Sequence, residues 1–380
     1  MNFNYSTEQS EFQYTLRRFM AKEYGFKQRR AIARSANGFS RKIWQQFAEL
    51  GLLALTLPEQ YEGLGGTAVD TMIVMQELGG ALVLEPYIHT AVVAAGLIRD
   101  EGSDVQKKSS LPKVAAGNLL LALAHYEPDS RYETSHVGSN ATPAGAGWLI
   151  NGRKAVVLGG ASADKLLVSA RTAGEVRAAD GISLFVVAAD AVGVVIRSYA
   201  THDGQRAAEI SLNQVHVGPD ALIGKAGRAL PAIERALDYG IAALCAEATG
   251  IMLALNEVTL EYLKMRKQFG VPIGKFQALQ HRMADMTIAA EQARSMTMLA
   301  ALRADSTDVG ERRNTLSAAK SYIGQSGRFI GQQAVQLHGG MGVTDELNVS
   351  HYFKRLTMIN ATFGDADFHL GRFSDALLAA

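Results

Sequence analysis

The chain has 380 residues and a mass of 40.8 kDa, beyond the size at which one core keeps growing, so two or three structural units are expected. With 38 Lys and Arg against 37 Asp and Glu, no basic excess is present to neutralise nucleic acid and no acidic arm to act as a solvating tail. The single cysteine, Cys245, excludes an internal disulfide and a cysteine zinc cluster and fits a reducing cytoplasm, where its small apolar neighbours read as core.

The amino end (MNFNYSTEQSEF) lacks a basic stretch followed by an apolar one. The apolar runs, such as Ile241 to Ala246 and Asn118 to Ala124, are too short or interrupted to cross a bilayer, so a cytoplasmic protein without a membrane span is expected. In chain order, residues 1–116 read as a helical domain. Ser6-Thr7-Glu8-Gln9 offers a capping start, and Phe12, Leu16, Phe19 and Met20 recur at helical spacing. Further amphipathic stretches near Ile43 to Leu52 and Val69 to Leu78 are separated by a Pro- and Gly-containing loop, residues 58–66, that forbids a helix. Residues 117–226 change to short apolar runs separated by Gly, Asp and Asn turns, the texture of a β domain. From 227 to 380 the helical period returns, broken near residues 269–275, 305–312, 338–345 and 363–367.

Several residues stand out chemically. Glu247 is the only carboxylate in residues 240–255. Its neighbours three and four positions away, Ala243, Leu244, Gly250 and Ile251, form a stripe of little bulk that a flat ligand could approach. Desolvation there suits a base that takes a weakly acidic C–H proton; a buried pair with an arginine from another helix is the alternative, and both stay open. Arg266 to Gly270 closes a helix with cations and a glycine, which ordinary capping also explains. His338-Gly-Gly-Met-Gly342 is a bend whose missing side chains admit a phosphate or sugar, or simply break a helix. Near the carboxyl end, Asp365, Asp367 and His369 suggest either an acid–base or metal site or helix N-caps, the latter being the commoner use. No metal ligands are assigned.

In order along nearly the whole chain, these segments resemble the acyl-CoA dehydrogenase superfamily. Leu57 to Gly66 looks like its early helix–loop signature, Tyr126-Glu127-Pro128 like its flavin-contacting T-E-P strand, and Ile150 to Lys154 like its I-N-G-x-K turn. Val217-Gly-Pro219 with Leu222-Ile-Gly224, Arg266 to Gly270, and Gln336 to Gly340 resemble its VP…LG, R-x-x-F-G and Q-x-x-G-G segments. The resemblance implies a mostly α protein: a helical amino domain, a β-barrel-like middle domain and a carboxyl four-helix bundle. It also implies FAD shared across an oligomer interface. Arg266, Phe269, Gln336, Gly339 and Gly340 would reach the adenosine and diphosphate of a neighbour's FAD, and Tyr126, Val156 and Leu158 would lie on the flavin side. The implied reaction takes the α-proton of an acyl-CoA and passes the β-hydride to flavin N5, giving a trans-2-enoyl-CoA, with an electron-transfer flavoprotein as acceptor.

Three departures shape the expectation. Where many members carry a catalytic Glu before a Gly, this chain has Phe363-Gly364-Asp365; the alternative position near residues 238–240 offers no Glu; and the flavin-stacking W-x-T is replaced by Val156-Val157-Leu158. Glu247 resembles the base position of heteromeric members that handle steroid side chains and dicarboxylic acyl-CoAs. The carboxyl-end pattern resembles the small subunit of such assemblies, including pimeloyl-CoA dehydrogenase. A homo-oligomer, or a heterotetramer with a paralogous subunit, follows. Two principal readings result: a dehydrogenase subunit using Glu247 as base, or a catalytically silent partner that completes another subunit's FAD site. A further reading has Asp365 as the base of an oxidase or monooxygenase.

Overall fold

The computed structural model describes residues 5–378; residues 1–4, part of the amino end read above, lie outside them. Helices α1 (Thr7–Glu23), α2 (Phe26–Ala33), α3 (Arg41–Glu49), α4 (Ala68–Gly80), α5 (Ala95–Glu101) and α6 (Asp104–Ala115) come first, α5 being entered through a π-helical stretch, Ile88–Ala94. The capping box is formed: Ser6 Oγ accepts the Gln9 N–H and Gln9 Oε1 accepts the Ser6 N–H, both at 3.1 Å. Strands β1 (Leu121–Ala124), β2 (Asn140–Ala144), β3 (Gly147–Leu158), β4 (Lys165–Arg171), β5 (Ile182–Ala188), β6 (Val194–Ala200), β7 (Arg206–Val217) and β8 (Leu222–Ile223) follow. The chain then runs through α7 (Leu230–Met265), a hairpin of β9 (Lys267–Gln268) and β10 (Val271–Pro272), α8 (Gln277–Ala304), α9 (Val309–His338), α10 (Asn348–Ala361) and α11 (Ala366–Leu378). The helix, strand, helix order is the one read from the sequence.

Packing divides the chain into two compact units, and the segments interleave. One comprises residues 32–67 and 84–240. Its eight-stranded mixed sheet runs β6-β7-β3-β2-β4-β5-β8, with β1 parallel to β4. Ile150, Leu166, Val168, Phe185, Val187, Ile210, Leu212 and Val215 form its core. Helical segments before residue 117 join this unit because backbone groups at the sheet's margin need partners. Thr90 Oγ1 donates to the Leu121 carbonyl at 2.8 Å and accepts the Leu121 N–H at 3.2 Å. Gln106 Nε2 donates to the carbonyls of Asp220 and Leu222 at 2.8 and 3.0 Å.

The other unit comprises the chain up to residue 31, residues 68–83, and residues from 241 on. Within it α9 packs against α8, α10 and α11. Fully buried Lys320 of α9 donates to the carbonyls of Ile359, Asn360 and Gly364 at 2.9, 3.0 and 2.7 Å, satisfying the end of α10 and the turn after it. Helix α7 is by length and composition apolar enough to cross a membrane, but 72% of its most apolar stretch is buried inside the protein, the mark of a core helix. Cys245, within this helix, is buried, as its neighbours suggested, and burial pushes its thiol up to about 12.

Candidate functional site

The stripe around Glu247 is not open to a flat ligand; α4 lies on it. A Cβ on Gly79 would stand 2.2 Å from the Glu247 carbonyl oxygen, and one on Gly250 1.9 Å from that of Gln76, so the two glycines let the backbones meet. Small residues at helical spacing serve a helix crossing here, a use that periodicity cannot distinguish from a ligand slot. The carboxylate is held as well. Oε1 accepts Arg355 Nε at 2.5 Å and Oε2 accepts Nη2 at 2.6 Å, with side-chain exposures of 5% for Glu247 and 7% for Arg355. This fork geometry is the strongest form of carboxylate pairing. Proton transfer to Glu247 would first require releasing Arg355.

The residues expected to meet FAD's adenosine and diphosphate fall partly together. Arg266, Gln336, Gly339 and Gly340 line one cavity of about 650 Å³, together with Tyr262, Arg282 and His338. Gly339 has φ +58°, and no other group lies within 4 Å of where a Cβ would stand on either Gly339 or Gly340. A phosphate can therefore approach this backbone closely. Tyr262 stacks on His338 with centroids 4.3 Å apart. Burial lowers the His338 pKa, so the imidazole is neutral near pH 7. The cations of the cavity are the two arginines. These features fit the phosphate-bearing half of a dinucleotide.

Phe269 is not among the cavity's lining residues. It occupies the tip of the β9–β10 hairpin with φ +53°, followed by Gly270 at +79°, the backbone of a tight two-residue turn. A left-handed phenylalanine is disfavoured by roughly 1–2 kcal/mol. The turn leaves its ring 89% exposed, edge-on to Phe276 at 6.0 Å.

Tyr126, Val156 and Leu158 lie in the sheet unit. Half-buried Tyr126 follows β1, and its carbonyl accepts the Ala155 N–H at 2.8 Å. Fully buried Lys154 fastens the same place. Its Nζ donates to Glu127 Oε1 at 2.7 Å, Ser169 Oγ at 3.1 Å and the His125 carbonyl at 3.2 Å. Burial draws Lys154 down to about 8 against the pull of Glu127. Burial pushes Glu127 up, but the Lys154 charge and the Ser139 hydrogen bonds outweigh it and hold the carboxyl below its usual range. Beyond Lys154, the register with β7 shifts between Lys154 and Val157, and Val156, with φ +50° and 52% exposed, is the bulge residue. Its N–H donates to Glu209 Oε1 at 3.3 Å, an oxygen that also accepts the Tyr199 hydroxyl at 2.9 Å. Where the resemblance puts a flavin-stacking tryptophan, this chain has a self-satisfied bulge, which does not fit the ring in that manner.

At the carboxyl end, Asp365 Oδ1 accepts the Phe368 N–H at 2.9 Å and so caps α11. Fully buried His369 contacts Ser317 Oγ at 3.3 Å and the Phe363 carbonyl at 3.0 Å. Burial, then the Lys320 charge, lowers its pKa to about 3. Among the described residues no three His, Cys, Asp or Glu side chains gather as metal ligands. Sequence reasoning missed Arg355, Glu209 and Arg282. Each acts across more than 50 positions, where no local signal marks it.

Family profiles for the acyl-CoA dehydrogenase N-terminal, middle and C-terminal domains match residues 6–118, 122–215 and 227–378. Acyl-CoA dehydrogenase FadE12 of Mycobacterium tuberculosis is 31% identical over 324 residues, 81% of this chain and 80% of the relative. The solved structure of a variant of the Tcur3481-Tcur3483 steroid ACAD is similar with a TM-score of 0.88 at 30% identity, covering 98% of each chain. The ChsE4-ChsE5 complex from Mycobacterium tuberculosis shares the fold, with a TM-score of 0.89 at 23% identity over 100% of both chains.

Proposed function

From the premise that this chain belongs to the acyl-CoA dehydrogenase family, FAD-dependent oxidoreductases acting on CH–CH bonds, we propose that it is the subunit of a heteromeric member that holds the phosphate end of FAD. A paralogous partner supplies the ring contacts and the base. The observation that carries this reading is the Val156 bulge: its N–H is taken by Glu209, while the Arg266, Gln336 and Gly339-Gly340 cavity stays open. Two of the similar structures are named as two-chain assemblies, one of them a steroid ACAD. A bulky or ω-functionalised acyl-CoA handled in the cytoplasm, with an electron-transfer flavoprotein as acceptor, completes the proposal. When bound, FAD would supply the acceptor for the β-hydride that leaves an acyl-CoA as its α-proton is taken. In this chain Arg266 and the glycine backbone bind the cofactor, and Phe269 is presented outward to a neighbour.

A second reading keeps Glu247 as the α-proton base, favoured by its being the only carboxylate in residues 240–255 of α7. It requires Arg355 to move aside. Turnover of an acyl-CoA by the chain alone and by the assembly, each with and without Glu247→Gln, separates the two. The leading reading expects no turnover by the chain alone and undiminished turnover by a flavin-loaded assembly carrying the Gln. Loss of turnover in an assembly that still folds and holds its full flavin content would make Glu247 the base.

A further inference from the structure

The cavity that gathers Arg266, Gln336, Gly339 and Gly340 holds a second guanidinium that belongs to none of the motifs. Arg282 projects from α8, and its Nη1 donates to Gln333 Oε1 of α9 at 3.0 Å. Among the described residues no carboxylate lines the cavity. Among the described residues neither Arg266 nor Arg282 forms an ion pair, although many surface arginines of this chain do. Two unneutralised positive charges thus face one concave space beside an open glycine backbone. Such an arrangement raises the local concentration of a dianion and matches the planar fork of Arg to phosphate oxygens.

We infer that Arg282 is a second phosphate-binding residue, so that a dinucleotide's diphosphate is held by two arginines from separate elements. Arg266 comes from the start of the hairpin and Arg282 from the first turns of α8. Gln333 positions the Arg282 guanidinium through its amide oxygen, reducing the freedom lost when the ligand arrives. This inference rests on reading the cavity as the phosphate end of the cofactor site. It adds a determinant of dinucleotide over mononucleoside flavin, since riboflavin has no phosphate for either arginine to meet.

The test is titration of the apo assembly with FAD and, separately, with riboflavin, following flavin fluorescence, for wild type, Arg282→Ala, Arg282→Lys and Arg266→Ala. Loss of one charge-assisted contact is expected to weaken FAD binding by about tenfold to a hundredfold in Arg282→Ala. Arg282→Lys should fall between, and riboflavin affinity should not change. FAD affinity unaltered in Arg282→Ala but reduced in Arg266→Ala would overturn the role of Arg282 and leave the cavity assignment standing. If both alanine variants bound FAD like wild type, the cavity assignment would fall as well. An equal loss of riboflavin and FAD affinity would mark the effect as structural and also overturn the proposal.

Discussion

The Glu247–Arg355 pair sets up a double-mutant cycle whose outcome bears on the chemistry. Both oxygens of the carboxylate accept from one guanidinium at 2.5 and 2.6 Å, and both side chains are almost wholly buried. Removing one partner of such a pair costs about 3–5 kcal/mol, because the remaining charge stays in a low-dielectric site, whereas replacing both with apolar residues of similar volume is often near neutral. Glu247→Leu and Arg355→Met should each lower unfolding free energy by that amount. The double variant should recover most of it, giving a coupling energy of about 3 kcal/mol or more. Glu247→Gln keeps one acceptor and should cost less, about 1.5–3 kcal/mol. The assay is urea denaturation at fixed chain concentration, since assembly shifts the midpoint. Single variants below about 1 kcal/mol that add without coupling would refute the reasoning and leave Glu247 available as a base.

Gly250→Ala should destabilise by about 1–3 kcal/mol or more through overpacking, because its Cβ would stand 1.9 Å from the Gln76 carbonyl oxygen; an unchanged melting point would show that α4 and α7 are not that close. Gly340→Ala, by contrast, enters open space and should leave the melting point alone while weakening FAD binding. Lys154→Met should cost about 3–5 kcal/mol in denaturation, since it strips Glu127 of its buried ammonium. His125 and His369 have pKa values of about 3 in the folded chain against 6.5 ordinarily, so between those values the unfolded chain binds protons that the native one does not. Their contribution is complete above pH 6.5 and is lost as pH falls toward 3. The urea midpoint should drop over that range, and less steeply in a variant with both replaced by Gln; equal slopes would contradict the assignment.

Much of this architecture is legible in the sequence because it rests on local rules. Ser6 and Gln9 form the box their spacing announces. Asp365 caps α11 as an Asp before a helix commonly does, and the switch of period near residues 117 and 227 tracks the start of β1 and α7. Arg266 and Gln336, 70 positions apart in the chain, meet in one cavity, which only the family pattern suggested. What stayed hidden is long-range. The stripe around Glu247 reads equally as a ligand face or a helix crossing, and the choice was made by Gly79 on α4. The partner of Glu247 is 108 residues away. The bulge at Val156 depends on register with β7, where two residues oppose one, and strand periodicity does not specify such an insertion.

Where the flavin ring is held decides between a self-sufficient enzyme and half of a shared site. The most direct measurement is the flavin-to-chain ratio of this chain purified alone, from the visible spectrum and from FAD released on denaturation, repeated after assembly with a paralogous partner. The predicted result is little or no flavin on the chain alone and about one FAD per pair of unlike chains after assembly. About one FAD per chain without any partner would contradict the shared-site reading and establish a self-sufficient enzyme.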